Sequence, residues 1–297
     1  MRNVVPIVFC FDKRILLGAS VAIKSLIDCA LKTTAYDIRI FHSDLNIKEQ
    51  KNLTKLIENT QHNIGFHYIN PMLFKKMPKS NKSWTEIVYY RFLTSQILKE
   101  YEKVIYSDVD VLFKDDLTKL YNTEIEDFEL GAVRAEKNTP QTIGHTYFKE
   151  NLKDYIYWSG LLLINNKRFY EKAILNKLLE NANLKFKELK FFDLDLMNIT
   201  CQNIKPLDFK YCVLQSIYYS NNFENSKDYQ YLKNVYSSEE LINAKKHPAI
   251  IHYAGKPGKP WRMKHPYGDY QEYINKLPKE LRHYTARDLR KKLFNKV

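Results

Sequence analysis

One stretch decides the fold: Lys103-Val104-Ile105-Tyr106-Ser107-Asp108-Val109-Asp110-Val111-Leu112-Phe113. An apolar strand here runs directly into two carboxylates, and charge at a strand end is costly unless something neutralises it. In an α/β sheet, ligands bind at the carboxyl ends of the strands. Residues i and i+2 of an extended segment point the same way, so Asp108 and Asp110 are predicted to share one hard divalent cation. Such a cation can also bind a diphosphate.

An Asp-x-Asp pattern is a weak signal by itself, because aspartate is also common in solvated turns after a strand. The same pattern recurs at Asp193-Leu194-Asp195, within residues 191–200, which have a helical pattern. In a helix, residues i and i+2 face apart, so this second pair is not predicted to share a metal ion.

A second candidate segment lies at residues 252–261, with the sequence HYAGKPGKPW, after a short apolar run that predicts a strand. The imidazole of His252 is a good manganese ligand, and Lys259 offers a compact cation to a diphosphate. Gly255 and Gly258 let the backbone approach a phosphate closely. Taken singly, His252 also fits a half-buried histidine and Lys259 a surface lysine. With the two aspartates, the segment predicts a site for manganese or magnesium held by Asp108, Asp110 and His252.

Strand and helix patterns alternate along most of the chain, which predicts an α/β fold with a mostly parallel central sheet flanked by helices. One domain is expected over residues 1–262, followed by a small, basic, helical appendage over 263–297. Residues 135–158 are predicted to form a long loop, and residues 205–248 give no clear pattern. The predicted strands are 4–10, 37–42, 64–69, 103–109, 128–134, 160–165 and 249–253, and the predicted helices are 17–31, 46–61, 85–99, 167–183 and 193–202.

The chain carries a formal net charge of +13, and part of that charge is concentrated near the C-terminus. There, Leu289, Leu293 and Phe294 form a loose apolar stripe beside Lys and Arg, which predicts a helix on an anionic membrane surface. The alternative is an ordinary solvated helix. Nucleic acid is not an expected partner, because no helix-turn-helix, zinc-finger or RNP-like aromatic pattern occurs.

No targeting or membrane-spanning segment is predicted. The apolar start of the chain is cut short at Asp12, and the longest apolar run, near residues 155–164, is far below the roughly 18–20 residues of a membrane span. The four cysteines form no Cys-x-x-Cys pair, which suits a reducing compartment. A cytoplasmic location is therefore expected.

Seven blocks, in order, resemble the family 8 glycosyltransferases, the retaining enzymes that use nucleotide sugars, and above all the bacterial branch that builds lipopolysaccharide or lipooligosaccharide. The blocks lie at residues 4–12 (VVPIVFCFD), 22–26 (AIKSL), 89–93 (YYRFL), 104–113 (VIYSDVDVLF), 159–165 (SGLLLIN), 193–198 (DLDLMN) and 252–261 (HYAGKPGKPW).

This resemblance implies a Rossmann-like fold of the GT-A type and a metal-dependent hexosyltransferase. The donor would be a UDP-sugar, with UDP-galactose or UDP-glucose favoured, and the acceptor a glycan or glycolipid such as lipooligosaccharide core. The enzyme would lie on the cytoplasmic face of the inner membrane. Asp12 would bind uracil, and Asp193 would be the catalytic carboxylate beside the reacting carbon. The implied donor-binding residues are Phe9, Cys10, Asp12, Arg91, Asp108, Val109, Asp110, Trp158, Ser159, Asp193, Gly255 and Lys259.

Two residues depart from the family pattern near the donor sugar. Trp158 replaces an asparagine and Leu194 replaces a glutamine, and the segment from His252 to Lys259 carries one extra residue. A bulky indole in place of an amide reshapes a pocket, which leaves open another donor such as an N-acetylhexosamine, or a relative that binds UDP-sugar with impaired transfer. Retention by way of Asp193 as nucleophile and a same-face route are both left open.

Overall fold

A computed structural model describes residues 3–79, 85–138, 154–185, 187 and 189–294 of the chain. Its strands form a seven-stranded sheet and a smaller three-stranded one. In chain order they are β1 (Asn3–Cys10), β2 (Thr34–His42), β3 (Asn63–Tyr68), β4 (Lys103–Ser107), β5 (Val111–Phe113), β6 (Leu130–Lys137), β7 (Tyr155–Asn165), β8 (Ile204–Leu207), β9 (Val213–Leu214) and β10 (Ile250–His252).

The large sheet has the order β3-β2-β1-β4-β7-β6-β8, and only β7 runs against its neighbours. The predicted, mostly parallel central sheet is therefore confirmed. Alternate residues of β1 enter two different cores: Ile7 and Phe9 on one face, Val8 and Cys10 on the other. Burial on both faces explains why the strand reads as a continuous apolar run rather than an alternating one.

Helices cover both faces of this sheet, as predicted. The first core contains α1 and α11, and the second contains α5 to α7 together with a 3₁₀ segment, Glu86–Leu93. The α-helices are α1 (Leu16–Asp28), α2 (Ile47–Thr54), α3 (Thr94–Ile97), α4 (Thr118–Tyr121), α5 (Asn166–Glu171), α6 (Ile174–Leu184), α7 (Asp193–Thr200), α8 (Gln215–Tyr218), α9 (Lys227–Leu232), α10 (Ser238–Lys246), α11 (Gly268–Lys276) and α12 (Ala286–Phe294).

Several predicted elements differ from those observed. The helix predicted at 85–99 is mostly 3₁₀, and the one at 167–183 breaks at Ala173, whose φ of 50° is left-handed. The loop predicted at 135–158 is strand at both ends, because β6 continues to Lys137 and β7 begins at Tyr155. Residues 139–153 of that loop lie outside the described residues.

The small sheet joins the large one through the turn between β4 and β5. Within it, β10 pairs antiparallel with β5 and parallel with β9, so a strand near residue 250 completes a sheet begun at residue 111. Phe113 of the small sheet meets Phe9 of the large one edge to face, with ring centroids 6.2 Å apart. The two sheets thus share one core.

The C-terminal part packs on the same core. Tyr270, Ile274, Leu277 and Leu281 are buried there, and the ring of Trp261 lies against Gly18 of α1 so closely that a Cβ at Gly18 would come within 2.8 Å of it. Helix α12 follows and is held by its buried Asp288. Over the residues described, no helix has the length and apolar character needed to cross a membrane.

Candidate active site

A cavity of about 890 Å³ opens at the carboxyl edge of the large sheet. Its wall includes all but one of the residues predicted to bind metal or donor. Phe9 is the exception, since its side chain is fully buried in the core. The predicted residues that line the cavity are Cys10, Asp12, Arg91, Asp108, Val109, Asp110, Trp158, Ser159, Asp193, His252, Gly255 and Lys259.

Backbone pairing brings the two aspartates and the histidine together. The N–H of Asp108 donates to the carbonyl of Gly160 on β7 at 2.8 Å, and the N–H of Tyr253 donates to the carbonyl of Asp110 at 2.8 Å. Asp108 is thereby tied to the large sheet and Asp110 to β10, which ends in His252. Strand β4 ends at Ser107 rather than at the predicted residue 109, and the chain bends at Val109 and Asp110. The carboxylates converge because two sheets meet there.

Asp108, Asp110 and His252 each offer one ligand atom, and these atoms all lie within 4.8 Å of one another. Nε2 of His252 lies 3.4 Å from Oδ1 of Asp110 and 3.8 Å from Oδ2 of Asp108. Gly160 makes this approach possible, since a Cβ there would come within 2.6 Å of Cε1 of His252 and 3.1 Å of Oδ2 of Asp108. Two carboxylates and one imidazole are a donor set that suits manganese.

The other oxygen of Asp108 is held from behind. Oδ1 accepts hydrogen bonds from Nη2 of Arg91 at 3.1 Å and from the hydroxyl of Tyr106 at 2.5 Å. The guanidinium carbon of Arg91 also lies 4.1 Å from the centre of the Tyr106 ring. Because Arg91 and Tyr106 occupy Oδ1, Oδ2 is the oxygen turned toward His252. Groups that orient a metal ligand in this way contribute to metal affinity.

His252 is oriented by a thiol. Its Nδ1 lies 3.3 Å from Sγ of Cys212, which leaves Nε2 to face the aspartates. Burial opposes the charged imidazolium, but Asp110 and Cys212 outweigh burial and raise the pKa of His252 well above its usual value. Since a metal binds the neutral ring, binding at this site would release a proton.

The ammonium group of Lys259 supplies a cation at Asp110. It donates to Oδ2 of that carboxylate and, at 3.0 Å, to the carbonyl of Tyr253. Burial would by itself favour the neutral acid, but Lys259 and His252 outweigh it and hold the pKa of Asp110 well below its usual range. The ammonium group of Lys259 thus already binds at Asp110, which shows that the site suits positive charge.

Glycines and one glutamine shape the loop that carries Lys259. Gly255 and Gly258 have φ values of 70° and 122°, which L side chains rarely adopt. Nε2 of the buried Gln215 donates to the carbonyls of Ala254 at 3.0 Å and Gly258 at 3.2 Å. The loop is thus held at both ends from α8, in the part of the chain that gave no clear sequence pattern.

Arg91 links the aspartate pair to Asp193. Its Nη1 lies 3.1 Å from Oδ2 of Asp193, and it also donates to the carbonyl of Ser159 at 2.5 Å. Burial raises the pKa of Asp193 to about 6, because Arg91 offsets it only in part and the charge of Asp108 also opposes ionisation. A carboxyl group with such a pKa can exchange a proton near neutral pH.

Helix α7 positions Asp193 beside β7. Asn198 of this helix accepts from the N–H of Tyr157 at 2.9 Å and donates to its carbonyl at 2.8 Å. Asp195, two residues after Asp193, instead accepts at Oδ2 from the backbone N–H groups of Lys190 and Phe191. The two acids therefore have different partners, as the helical pattern predicted.

Asp12 already has partners at the far side of the cavity. Its Oδ1 accepts from the N–H of Arg14 at 2.9 Å, and its Oδ2 accepts from Nε of Arg14 at 2.7 Å. The Arg14 side chain is 54% exposed, so this ion pair forms at the cavity mouth. Cys10, two residues before Asp12, is a buried thiol whose pKa is raised by burial.

The two departures from the family pattern lie in the cavity wall. Trp158 is half-buried and packs against Phe209, with ring centroids 6.2 Å apart, and Leu194 follows Asp193 on α7. They contribute apolar surface to the cavity that Asp193 also lines.

Sequence reasoning missed four residues that shape the site. A signal existed for Tyr106, because it lies two positions before Asp108 and extended residues at that spacing share a face. Gly160 was part of a matched block without an assigned role. Cys212 and Gln215 fall in residues 205–248, where the short elements β9 and α8 leave too few residues to show a period.

Comparison with known proteins gives consistent matches. The family profile described as Glycosyl transferase family 8 matches residues 6–265. Glycosyltransferase GlyA of Streptococcus pneumoniae is 26% identical over 84% of this chain, but the chain spans only 32% of GlyA. Lipopolysaccharide glucosyltransferase WaaO of Escherichia coli is 24% identical over 84% of this chain and 70% of its own length.

Among solved structures, galactosyltransferase LgtC in complex with donor and acceptor sugar analogs superposes with a TM-score of 0.75. The match covers 94% of this chain and 99% of LgtC at 23% identity. It confirms the predicted GT-A type of α/β fold.

Tyr106→Phe is expected to weaken Mn²⁺ binding roughly tenfold, because Oδ1 of Asp108 loses one of the two groups that orient it. Calorimetric titration of the full chain with Mn²⁺ measures this. Tyr36→Phe is the matched control, since Tyr36 is also a buried strand tyrosine, whose hydroxyl donates to Asp116 at 3.1 Å outside the cavity wall. Equal Mn²⁺ affinity in both variants would contradict the orienting role of Tyr106.

Proposed function

The chain belongs to glycosyl transferase family 8, and from this premise we propose that it transfers a hexose from a UDP-sugar to a cell-envelope glycan with retention of configuration. UDP-galactose and UDP-glucose are the favoured donors, and lipooligosaccharide core is the favoured acceptor class. The observation that carries the proposal is the cluster of Asp108, Asp110 and His252 beside Lys259, because this combination suits a divalent cation with a diphosphate.

Manganese or magnesium would be held by Asp108, Asp110 and His252, and when bound it supplies Lewis-acid stabilisation of the charge that develops on the leaving diphosphate. The chain's own residues add to this. Lys259 is placed to donate to phosphate oxygens, and Gly255 of the same loop also lines the cavity. Asp12 is proposed to bind the uracil, which requires it to exchange Arg14 for the base.

Asp193 is proposed to act at the reacting carbon. Its burial beside Arg91 and its pKa of about 6 support a role in which Asp193 gains or loses a proton, or accepts hydrogen bonds from sugar hydroxyls, during transfer. Two routes to retention remain proposals: attack by Asp193, or a same-face route in which the acceptor hydroxyl passes its proton to the leaving phosphate. Leu194 stands where the family has a glutamine and has no nucleophilic atom, so that position offers no alternative nucleophile to Asp193.

A second candidate function is a UDP-sugar-binding relative with impaired transfer, or a transferase for an N-acetylhexosamine donor. The observation that favours it is the apolar wall that Trp158 and Leu194 form in the cavity near Asp193. An N-acetyl methyl group is compatible with such a wall, whereas an additional sugar hydroxyl would lack a partner there.

Release of UDP from a panel of UDP-sugars, with and without Mn²⁺, tests the proposal. We expect metal-dependent release from one sugar, which would also identify the donor. Asp110→Asn should reduce release at least about 100-fold with an unchanged circular dichroism spectrum, because the metal loses a charged ligand.

Asp115→Asn is the matched control for Asp110→Asn, since Asp115 is exposed just beyond β5. Full activity of Asp110→Asn would overturn the metal assignment. Binding of UDP without release from any sugar would favour the impaired relative.

Lys259→Gln is expected to change two affinities in opposite directions. Mn²⁺ should bind more tightly in the absence of nucleotide, because Lys259 no longer competes at Asp110. UDP should bind roughly tenfold more weakly, because a charged donor to the diphosphate is lost. Titration calorimetry measures both. Lys256→Gln, in the same loop but exposed, is the control, and a parallel loss of both affinities would contradict the competition.

The C-terminal helix is proposed to attach the enzyme to an anionic membrane surface. On α12, Leu289, Leu293 and Phe294 are 47%, 72% and 77% exposed, and the helix carries Arg287, Arg290, Lys291 and Lys292. Exposed apolar side chains beside cations suit the interface of an anionic bilayer. Truncation at residue 277 is a poor test, because Leu277 and Leu281 belong to the core.

The double substitution Leu293→Asp and Phe294→Asp is expected to reduce binding to phosphatidylglycerol vesicles at least about tenfold, because each apolar side chain contributes about 1.5 kcal/mol or more when buried. Vesicle flotation measures this. Leu184→Asp, a similarly exposed leucine on α6, is the control. Unchanged flotation of the double variant would favour a solvated helix.

A further inference from the structure

The cavity extends well beyond the metal cluster. Its wall follows four neighbouring strands in the order β1, β4, β7 and β6. Asp12 follows β1, Asp108 follows β4, Trp158 lies on β7 and Ala135 lies on β6. Neighbouring strands are about 4.8 Å apart, so the wall runs for roughly 14 Å from β1 to β6. The residues proposed for the nucleotide and metal occupy the β1 and β4 half.

Helix α9 closes the other end. It contacts β6, and Asp228, Tyr231 and Leu232 of this helix line the cavity. Their spacing of i, i+3 and i+4 puts them on one face of a helix. Leu232 is anchored in the core, whereas Tyr231 is 43% exposed. This face has no role in the donor and metal site proposed above.

The chemistry of this end differs from that of the donor end. Arg14, Arg91 and Lys259 supply positive charge near the nucleotide and metal residues. At the far end, Oδ2 of Asp228 accepts from the hydroxyl of Ser216 at 2.5 Å, and within the described residues Asp228 has no ion pair. A carboxylate and an aromatic ring on one helix face suit a sugar, whose apolar ring face packs on an aromatic side chain while its hydroxyls donate to acceptors.

We propose that Asp228 and Tyr231 of α9 bind the terminal sugar of the acceptor, and that this sugar is uncharged. The inference rests on the proposed function, because an acceptor is needed only for transfer. The unpaired charge of Asp228 would repel a uronic acid or a phosphorylated sugar. Two arginines also reach the cavity, but Arg262 is paired with the buried Asp288 at 2.5 Å and Arg287 is engaged by other groups of the chain.

Ligand-observed saturation-transfer NMR on the full chain, with UDP and Mg²⁺ present, tests the inference. The probes are methyl glucoside, methyl galactoside and methyl glucuronide. We expect at least one neutral glycoside to bind and the glucuronide to bind more weakly. Tyr231→Ala should weaken neutral glycoside binding roughly fivefold, the size expected for an aromatic contact. Asp228→Asn should reduce the preference for neutral over acidic glycoside roughly fivefold.

Two control variants match these changes in chemistry. Tyr170→Ala removes a tyrosine that is 61% exposed on α5, and Asp127→Asn changes an aspartate whose side chain is 93% exposed. Both should leave glycoside binding unchanged. The signals of UDP, recorded in the same samples, report the donor site and should be the same in all four variants.

The outcomes separate this inference from the proposed function. Absence of saturation-transfer signals from UDP with the unaltered chain would overturn both the acceptor site and the proposed function. UDP binding together with no glycoside binding, or with equal glycoside binding in Tyr231→Ala, would overturn the acceptor site alone. Binding of the glucuronide as tight as that of the glucoside would overturn the uncharged specificity.

Discussion

The structure depends on the crossing from the large sheet to the small one at Asp108, Val109 and Asp110. The backbone N–H of Asp108 extends the hydrogen-bond ladder of β4 with β7, and the backbone carbonyl of Asp110 extends the ladder of β5 with β10. The relative position of the two aspartates and His252 is therefore set by strand pairing rather than by a flexible loop. Sites built on such elements hold their geometry more closely. This arrangement requires a glycine at position 160, because the imidazole of His252 occupies the space that a side chain there would need.

Two cationic side chains balance the carboxylates around the crossing. Arg91, which is almost fully buried, lies between Asp108 and Asp193 and so connects the metal cluster to the carboxyl group proposed at the reacting carbon. Lys259 balances Asp110 from the opposite side. Each half-buried carboxylate of the pair thus has its own cation, which offsets the cost of removing charge from water. Because Lys259 belongs to the loop after β10, that balance depends on the same strand that brings in His252.

The sequence predicted the parts of the molecule in which several residues repeat a pattern. The apolar run of β1 and the run before Asp108 predicted central strands, and the spacing of Asp193 and Asp195 predicted that they face apart. Among the long-range contacts, the cluster of Asp108, Asp110 and His252 was predicted from ligand chemistry, whereas the placement of Asp12, Arg91 and Asp193 at the same cavity came only from the resemblance of ordered blocks. Periodicity could not predict Gln215, Cys212 or Asp228. Gln215 and Asp228 lie on α8 and α9, and Cys212 ends a 3₁₀ turn, Phe209–Cys212; these elements have four to six residues, too few to show a periodic pattern. The ion pair of Asp12 with Arg14 was missed as well, since a uracil contact had been inferred for that carboxylate.

The position of β10 within the small sheet has a consequence for synthesis of the protein. This strand lies between β5 and β9, so the small sheet lacks its central strand until residues near 250 have left the ribosome. Until then, Asp108 and Asp110 have neither His252 nor Lys259 beside them. Pairing between strands this far apart in sequence is slow, because a long loop must close first. The proposed site for a divalent cation therefore forms late, together with completion of the fold, and a nascent chain that stalls earlier would carry the acidic pair without its partners.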